Sequence, residues 1–167
     1  RIVPGVDLVV ASGGGYMTDP FHFYALPILD TLGLAARAGR TTALLGQGLG
    51  PFDPDGVLWR RLRDVLPRVD QIHVRERRVG PGLLDTVGVA PERVFVTGDD
   101  AIPLAREFAP SSPGDALGVN IRRMGYAQID QEILATLRAT LARVAAAHRA
   151  PLLSLPVSVS PNEADHV

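Results

Sequence analysis

The sequence predicts an α/β protein with a doubly wound parallel sheet, and three observations support this prediction. Short apolar runs alternate with helical patterns along the 167 residues, which is the order of elements in a parallel sheet. The first run contains Val9 and Val10, which suit a strand buried on both faces. That run ends in Gly13, Gly14 and Gly15, which allow either a tight turn or a close backbone approach to a ligand.

The first three predicted elements are a strand, a helix and a second strand. Asp7–Ser12 is the first strand, and the mostly helical stretch Pro20–Ala38 follows it. Pro27 lies inside that stretch and should kink or restart the helix, because proline lacks a backbone N–H. Thr41–Gly46 is the second strand. A second glycine-rich loop, Gly46–Pro51, is expected after it.

The next elements continue the alternation. Asp53-Pro54-Asp55 reads as a helix start, because aspartate caps well and proline fits the first helical position. Apolar residues then recur with the spacing of one buried helical face. The members of this face are Leu58, Leu62, Val65 and Leu66. Two further strands are expected after it, Gln71–Val74 and Val94–Thr97. Each is followed by a short predicted helix, Gly82–Val87 and Ile102–Phe108 respectively.

A segment rich in proline, serine and glycine separates two predicted domains. Residues 1–109 form a Rossmann-like domain that lacks its start, and residues 110–115 are the linker. Residues 116–167 begin a second Rossmann-like domain that is cut off. Its expected elements are the strand Ala116–Ile121, the helix Gln131–His148 capped by Asp130, and the strand Pro151–Val157. The sequence begins without methionine, and we expect it to be a fragment of a longer protein.

The ends of the predicted strands carry polar and glycine residues that suit a small anionic ligand. Carboxyl ends of parallel strands lie along one sheet edge, and arginine binds carboxylate or phosphate through its planar fork. The candidate ligand-binding residues are Gly13, Gly14, Gly15, Gln47, Gly48, Asn120 and Arg122. The candidate catalytic residues are Arg75, His22 and Asp99, with Asp100 as a further candidate acid.

Each candidate also has a simpler interpretation. Arg75 could be an exposed partner of Glu76 or Asp70, because surface ion pairs are common. The Gln47 amide could stabilise a turn, and at least one of Asp99 and Asp100 could cap the next helix. His22 could serve as a surface or cap residue. Alternation along a strand turns only one of Arg122 and Arg123 towards the crevice without deciding which, and Arg122 is taken as the candidate.

Composition excludes several kinds of chemistry. All 17 basic residues are arginines, so neither a Schiff-base lysine nor a phosphate-loop lysine is present. Cysteine is absent, which removes disulfides, thiol nucleophiles and cysteine-bound metals. The net charge of −1 gives no signature of nucleic-acid binding. No histidine pair has metal-ligand spacing, and the G-x-G-x-x-G motif of dinucleotide-binding proteins does not follow the first strand. No apolar run approaches the ~18 residues of a membrane span. We therefore expect a cytoplasmic protein that uses neither metal nor cofactor.

Six segments, in order and spacing, resemble the polysaccharide pyruvyl transferase family. They are Asp7–Gly15, Gly46–Pro51, Val74–Glu76, Leu84 with Gly88-Val89, Val94 with Gly98–Ala101, and Leu117–Arg122. The resemblance implies a fold similar to two-domain GT-B glycosyltransferases, with the active site between domains. It also implies transfer of the pyruvyl group from phosphoenolpyruvate to two hydroxyls of a sugar, which makes a cyclic ketal and releases phosphate.

The resemblance assigns Arg75 to the arginine of the family's Arg-Asp turn, with Glu76 in place of the usual aspartate. Val79 and Gly80 stand where the family has a serine shortly after that turn. The family's Arg-x-His motif from the second domain has no match in residues 151–167. We therefore expect the chain as given to be incomplete for catalysis, and the acid that protonates the donor could be supplied elsewhere.

Two other functions are compatible with the same residues. One is a GT-B glycosyltransferase that uses a nucleotide sugar, and the other is a non-catalytic relative that binds a sugar or acts as a subunit. The expected partners are a small-molecule donor and a saccharide acceptor. The oligomeric state is not determined by the sequence, and a homo-oligomer is compatible with it.

Overall fold

A computed structural model of the chain describes residues 5–110, 112, 114–121 and 130–156. The chain divides into two compact units, Arg1–Ala109 and Pro110–Val167. No helix within the described residues combines the length and the apolar character that crossing a membrane requires.

The first unit is built on a parallel sheet of five strands. Their order is β1-β3-β4-β5, and β2 follows β1 along the same side of β3. Every described pair is parallel, so the prediction of a parallel α/β, Rossmann-like fold is confirmed. The strands are β1 (Leu8–Ala11), β2 (Gly14–Met17), β3 (Thr41–Leu49), β4 (Gln71–Val74) and β5 (Val94–Val96).

Four α-helices accompany these strands, and the first three bury apolar residues against one face of the sheet. The path from β1 to β5 advances across the sheet in one direction, and right-handed crossovers then place the connecting helices on one face. The helices are α1 (His22–Arg37), α2 (Val57–Val65), α3 (Gly80–Thr86) and α4 (Ala101–Glu107).

Val9 and Val10 lie on different faces of β1. Val9 packs against the helix-covered core, whereas Val10 is 43% exposed. The expectation that this strand is buried on both faces is therefore wrong for Val10 within the described residues. The physical reason is that α1, α2 and α3 cover only the face that Val9 shares with Ala11.

Two helices differ from the sequence prediction, one at an internal proline and the other at its first residue. The helix α1 runs through Pro27 as one element, so the predicted restart does not occur. The helix α2 begins at Val57, after Asp53, because the Asp53 carboxylate accepts a hydrogen bond from the Asp55 amide at 3.0 Å and closes a local turn instead of capping the helix.

The glycine segments are also more regular than the sequence suggested. The second strand is predicted to end at Gly46 and to be followed by a loop, but Gln47 and Gly48 also lie inside β3. Gly14 and Gly15 likewise belong to the short strand β2, which pairs with β3. Parallel pairing satisfies the backbone groups of these segments, so they form sheet rather than free loops.

The second unit contains one β-α-β motif. Strands β6 (Leu117–Val119) and β7 (Leu152–Ser154) are parallel and are connected through α5 (Gln131–His148). The Asp130 carboxylate accepts a hydrogen bond from the Ile133 amide at 2.8 Å, which confirms the predicted N-cap. The candidate Arg122 lies outside the described residues.

Candidate functional site

An irregularity in the pairing of β3 with β4 decides on which face of the sheet the Gln47 side chain lies. Leu44 pairs with Ile72 and Gln47 pairs with Val74, so three steps on β3 match two steps on β4. Such a bulge shifts the alternation by one residue and places Gln47 on the core face, with Leu44. Gly46 lies in this bulge with φ of 57°, a left-handed conformation that suits glycine.

The Gln47 side chain is fully buried and connects β3 to the segment between Ser12 and Tyr16, which contains Gly13, Gly14 and Gly15. Its Nε2 donates to the Ser12 carbonyl at 2.9 Å and to the Tyr16 hydroxyl at 2.8 Å. The Tyr16 hydroxyl in turn donates to the same Ser12 carbonyl at 2.8 Å. Burial raises the pKa of Tyr16 above its ordinary value. The amide thus stabilises the turn between β1 and β2, while its Oε1 is buried without a hydrogen-bond partner among the described residues.

The Arg75 side chain lies over a floor of two glycines. A Cβ at Gly48 would stand 2.7 Å from Arg75 Nη2, and one at Gly15 would stand 3.4 Å from the same nitrogen. The Arg75 amide also donates to the Gln47 carbonyl at 3.0 Å, which extends the sheet past the end of β4. The guanidinium can occupy this position only because Gly48 carries no side chain, whereas a Cβ at Gly15 would be in ordinary van der Waals contact with it.

Asp99 is the acidic partner of Arg75. Its Oδ2 lies 3.4 Å from Arg75 Nη1, and its Oδ1 accepts a hydrogen bond from the Ala101 amide at 3.0 Å. Asp99 therefore combines the ion pair with a local turn just before α4, whose N-cap residue Asp100 forms no side-chain cap hydrogen bond. The two partners suggested by the sequence are engaged elsewhere: Asp70 accepts from the Thr42 amide at 2.8 Å, and Glu76 accepts from backbone amides.

Asp100 occupies a second glycine floor. A Cβ at Gly46 would lie 2.5 Å from Asp100 Cγ, and one at Gly13 would lie 3.2 Å from Asp100 Oδ2. The two glycine pairs, Gly13 with Gly46 and Gly15 with Gly48, thus make room for a carboxylate and a guanidinium respectively. Both charged groups lie at the carboxyl ends of the strands, where ligands bind in sheets of this kind.

A cavity of about 710 Å³ opens beside Arg75. The turn after β4 forms one wall, held by the Glu76 carboxylate, which accepts hydrogen bonds from the amides of Arg78 at 2.6 Å, Val79 at 2.9 Å and Gly80 at 2.6 Å. The amides of Val79 and Gly80 are the main cause of the lowered pKa of Glu76. The residues that line the cavity are Gly15, Gly48, Leu49, Gly50, Arg75, Glu76, Arg78 and Val79.

His22 stands at the start of α1 and takes part in none of these contacts. Its Nδ1 lies 2.8 Å from the Asp19 carbonyl, and its ring packs on Phe23 at 3.9 Å between centroids. When Nδ1 carries the hydrogen for that bond, Nε2 is the nitrogen that can accept or deliver a proton. Among the described residues, no three histidine, aspartate and glutamate side chains converge to hold a metal ion.

The structure thus brings together most of the candidates from the first unit. Arg75 lies over Gly15 and Gly48, and Gly13 belongs to the second pair of glycines, under Asp100. Gln47 connects β3 to this segment through its hydrogen bond to the Ser12 carbonyl. Asn120 belongs to the second unit, where its Nδ2 donates to the Leu155 carbonyl at 2.7 Å.

Sequence reasoning did not assign a role to Tyr16 or Arg78. For Arg78 a signal was available, since it follows Arg75 by three residues in a turn that begins a helix. For Tyr16 the bond to Gln47 depends on the bulge, which no local pattern marks.

Comparison with known proteins identifies a family for this sequence. The sequence matches the family described as polysaccharide pyruvyl transferase over residues 3–166. No curated protein and no solved structure gives a significant match.

Proposed function

This chain belongs to the polysaccharide pyruvyl transferase family, and we propose that it transfers the pyruvyl group of phosphoenolpyruvate to two hydroxyls of a saccharide. The observation that carries the proposal is the Arg75 guanidinium, laid across Gly15 and Gly48 beside an open cavity. Such a group is suited to a carboxylate or a phosphate, because its planar fork binds either one through two hydrogen bonds.

The proposed reaction balances in two steps without oxidation or reduction. One saccharide hydroxyl adds to the carbon that bears the phosphate, while the methylene carbon of the donor gains a proton from a general acid and becomes a methyl group. The proton of that hydroxyl is released and restores the acid. The second hydroxyl then forms a bond to the same carbon, the bond from that carbon to the phosphate oxygen breaks, and phosphate leaves with the second hydroxyl's proton. The product is a cyclic pyruvate ketal in a cell-surface polysaccharide. No metal or cofactor is required by this scheme.

Arg75 would hold the donor and stabilise the charge that moves onto the departing phosphate. Its ion pair with Asp99 is long, at 3.4 Å, and Arg75 is 38% exposed on its side chain. An incoming anion can therefore exchange with Asp99 at modest cost, since exposed ion pairs contribute little. Fixing the donor in one orientation lowers the barrier through positioning, and the guanidinium contributes through electrostatics.

The proton for the methylene carbon needs a general acid. Both oxygens of Asp99 are engaged, one by Arg75 and one by the Ala101 amide, so we assign Asp99 a positioning role. Asp100 is exposed, and none of its oxygens is held by a hydrogen bond within the described part of the chain. Asp100 and the Nε2 of His22 are therefore the two proposed acids of this unit.

The proposal is tested with the purified protein, phosphoenolpyruvate and a set of saccharides. Phosphoenolpyruvate should raise the melting temperature, because a ligand that binds only the folded state stabilises it. Arg75→Ala should abolish that shift, and Arg77→Ala should keep it. Release of phosphate that depends on the saccharide would support transfer. A shift caused by nucleotide sugars and absent with phosphoenolpyruvate would instead support a glycosyltransferase and overturn the proposal.

A further inference from the structure

The cavity beside Arg75 has a second cation, Arg78, that no assignment so far uses. Arg75 and Arg78 both line the cavity, while Arg77 between them does not. All three side chains are exposed and carry the same charge. Position in the turn therefore separates them, and the turn is held by hydrogen bonds to Glu76.

The Glu76 carboxylate holds that turn through backbone amides, and the charge of Arg78 adds a smaller contribution to the lowered pKa of Glu76. Its Oε2 accepts from the amides of Arg78 and Val79, and its Oε1 accepts from the amide of Gly80. Both oxygens are therefore occupied by the backbone. In the described part of the chain, the Arg78 guanidinium forms neither an ion pair nor a hydrogen bond, whereas Arg75 is paired with Asp99.

The remaining wall of the cavity suits the body of a compact anion. Gly15, Gly48 and Gly50 leave space, and Leu49 and Val79 add an apolar surface. Apolar contact is favourable for an uncharged carbon group and not for a third ionised group. The arrangement therefore fits a small ligand that carries two anionic groups on a short carbon frame.

We infer that Arg78 is the second anion-binding residue of this cavity, which holds one anionic group of the donor while Arg75 holds the other. The inference rests on the proposed function in one respect, namely that the ligand is phosphoenolpyruvate, which carries a carboxylate and a phosphate. Two arginines, each matched to one group, would select for a donor with both groups over one that has lost either.

The test measures binding of phosphoenolpyruvate, pyruvate and inorganic phosphate to four proteins by calorimetry. The proteins are the wild type, Arg75→Ala, Arg78→Ala and the charge-matched control Arg77→Ala. Arg78→Ala should weaken phosphoenolpyruvate binding by about tenfold or more, the factor that corresponds to loss of one charge-assisted contact. Arg77→Ala should change it by less than about twofold, because a charge outside the contact contributes little.

The single-group probes separate the two arginines. Arg78→Ala should lose binding of only one of pyruvate and phosphate, and Arg75→Ala should lose the other. Arg78→Gln is the second variant, and equal melting curves without ligand verify that the variants fold. Phosphoenolpyruvate binding that is equal in Arg78→Ala and Arg77→Ala overturns the inference and leaves the proposed function standing. A wild type that binds phosphate through Arg78 but not phosphoenolpyruvate refutes the proposed function alone, and a wild type that binds none of the three anions refutes both.

Discussion

The Arg75 guanidinium lies so close over Gly48 that a Cβ at that position would stand 2.7 Å from its Nη2 and 2.8 Å from its Nε. Real Cβ contacts are longer than this, so any side chain at Gly48 must move the guanidinium. The absence of a side chain at one strand residue therefore sets the position of the charged group on the neighbouring strand. Gly48 and Arg75 therefore act together in the proposed anion site.

Gly48→Ala should weaken phosphoenolpyruvate binding by about tenfold, because a displaced Arg75 loses one charge-assisted contact worth ~1.5–3 kcal/mol. Folding should change less, since the guanidinium is exposed and can swing outwards. The control is Gly82→Ala, where a Cβ meets nothing within 4 Å. Calorimetric titration of both variants measures the difference, and equal affinities would show that Arg75 does not depend on the glycine floor.

Gly46→Ala should lower the stability of the first unit more than Gly98→Ala does. Both glycines have positive φ, 57° and 87°, and a left-handed alanine costs roughly 1–2 kcal/mol. Only at Gly46 does the added Cβ also collide with Asp100, whereas at Gly98 it meets nothing. Adding Asp100→Ala to Gly46→Ala should recover the excess. Urea unfolding compares the variants, and a double variant no more stable than Gly46→Ala would contradict the collision.

Gln47→Leu should destabilise the protein by about 1–3 kcal/mol, because it removes two hydrogen bonds from a fully buried amide. Tyr16→Phe should cost about 1 kcal/mol, since Gln47 keeps its bond to Ser12. The matched control is Tyr24→Phe, whose ring is 67% exposed. A double-mutant cycle of Gln47→Leu and Tyr16→Phe measures the coupling, and strictly additive losses would argue against a shared network.

Glu76→Gln should lower the melting temperature at neutral pH and matter little in acid. The pKa of Glu76 is lowered in the folded protein, chiefly by the amides of Val79 and Gly80. A carboxyl with a lowered folded pKa stabilises above its unfolded pKa, and this contribution is lost as pH falls through the folded pKa. The difference from wild type should therefore stay constant from neutral pH down to about pH 5 and shrink only below it, as the pH falls through the unfolded and then the folded pKa of Glu76. Glu92→Gln, an exposed control, should show no such trend, and a constant difference for Glu76→Gln would contradict the capping role.

Much of the fold followed from local patterns. Apolar runs and helical spacing placed most of the helices and strands close to their observed bounds, because burial of one helix face imposes a period that is visible in the residues. Of the two effects expected at Pro27, a kink or a restart, the restart does not occur, since the helix α1 continues through this residue. The strand β2 was missed because glycines at 14 and 15 carry no strand preference, and pairing with β3 imposes the extended conformation.

The candidate site was predictable in its residue types and not in its contacts. Glycines and arginines at strand ends indicated an anion site before any contact was known. The partner of Arg75 was not among those considered, because Asp99 is 24 residues away and approaches only through the pairing of β4 with β5. The two acids at 99 and 100 are equivalent in sequence, yet one binds Arg75 and the other lies over Gly46.

By itself, the sequence determined the parallel α/β class, the family and the positions where glycine and arginine follow the strands. Each of these depends on residue type and spacing within one segment. Only the tertiary structure decided that Gln47 turns inwards, that Gly48 supports Arg75 and that Arg78 lines the cavity while Arg77 does not. For Gln47 and Gly48 the physical reason is the bulge at Gly46, because one extra residue in a strand exchanges the faces of the side chains after it, and strand pairing sets that shift. For Arg78 the reason is the turn that Glu76 holds through three backbone amides.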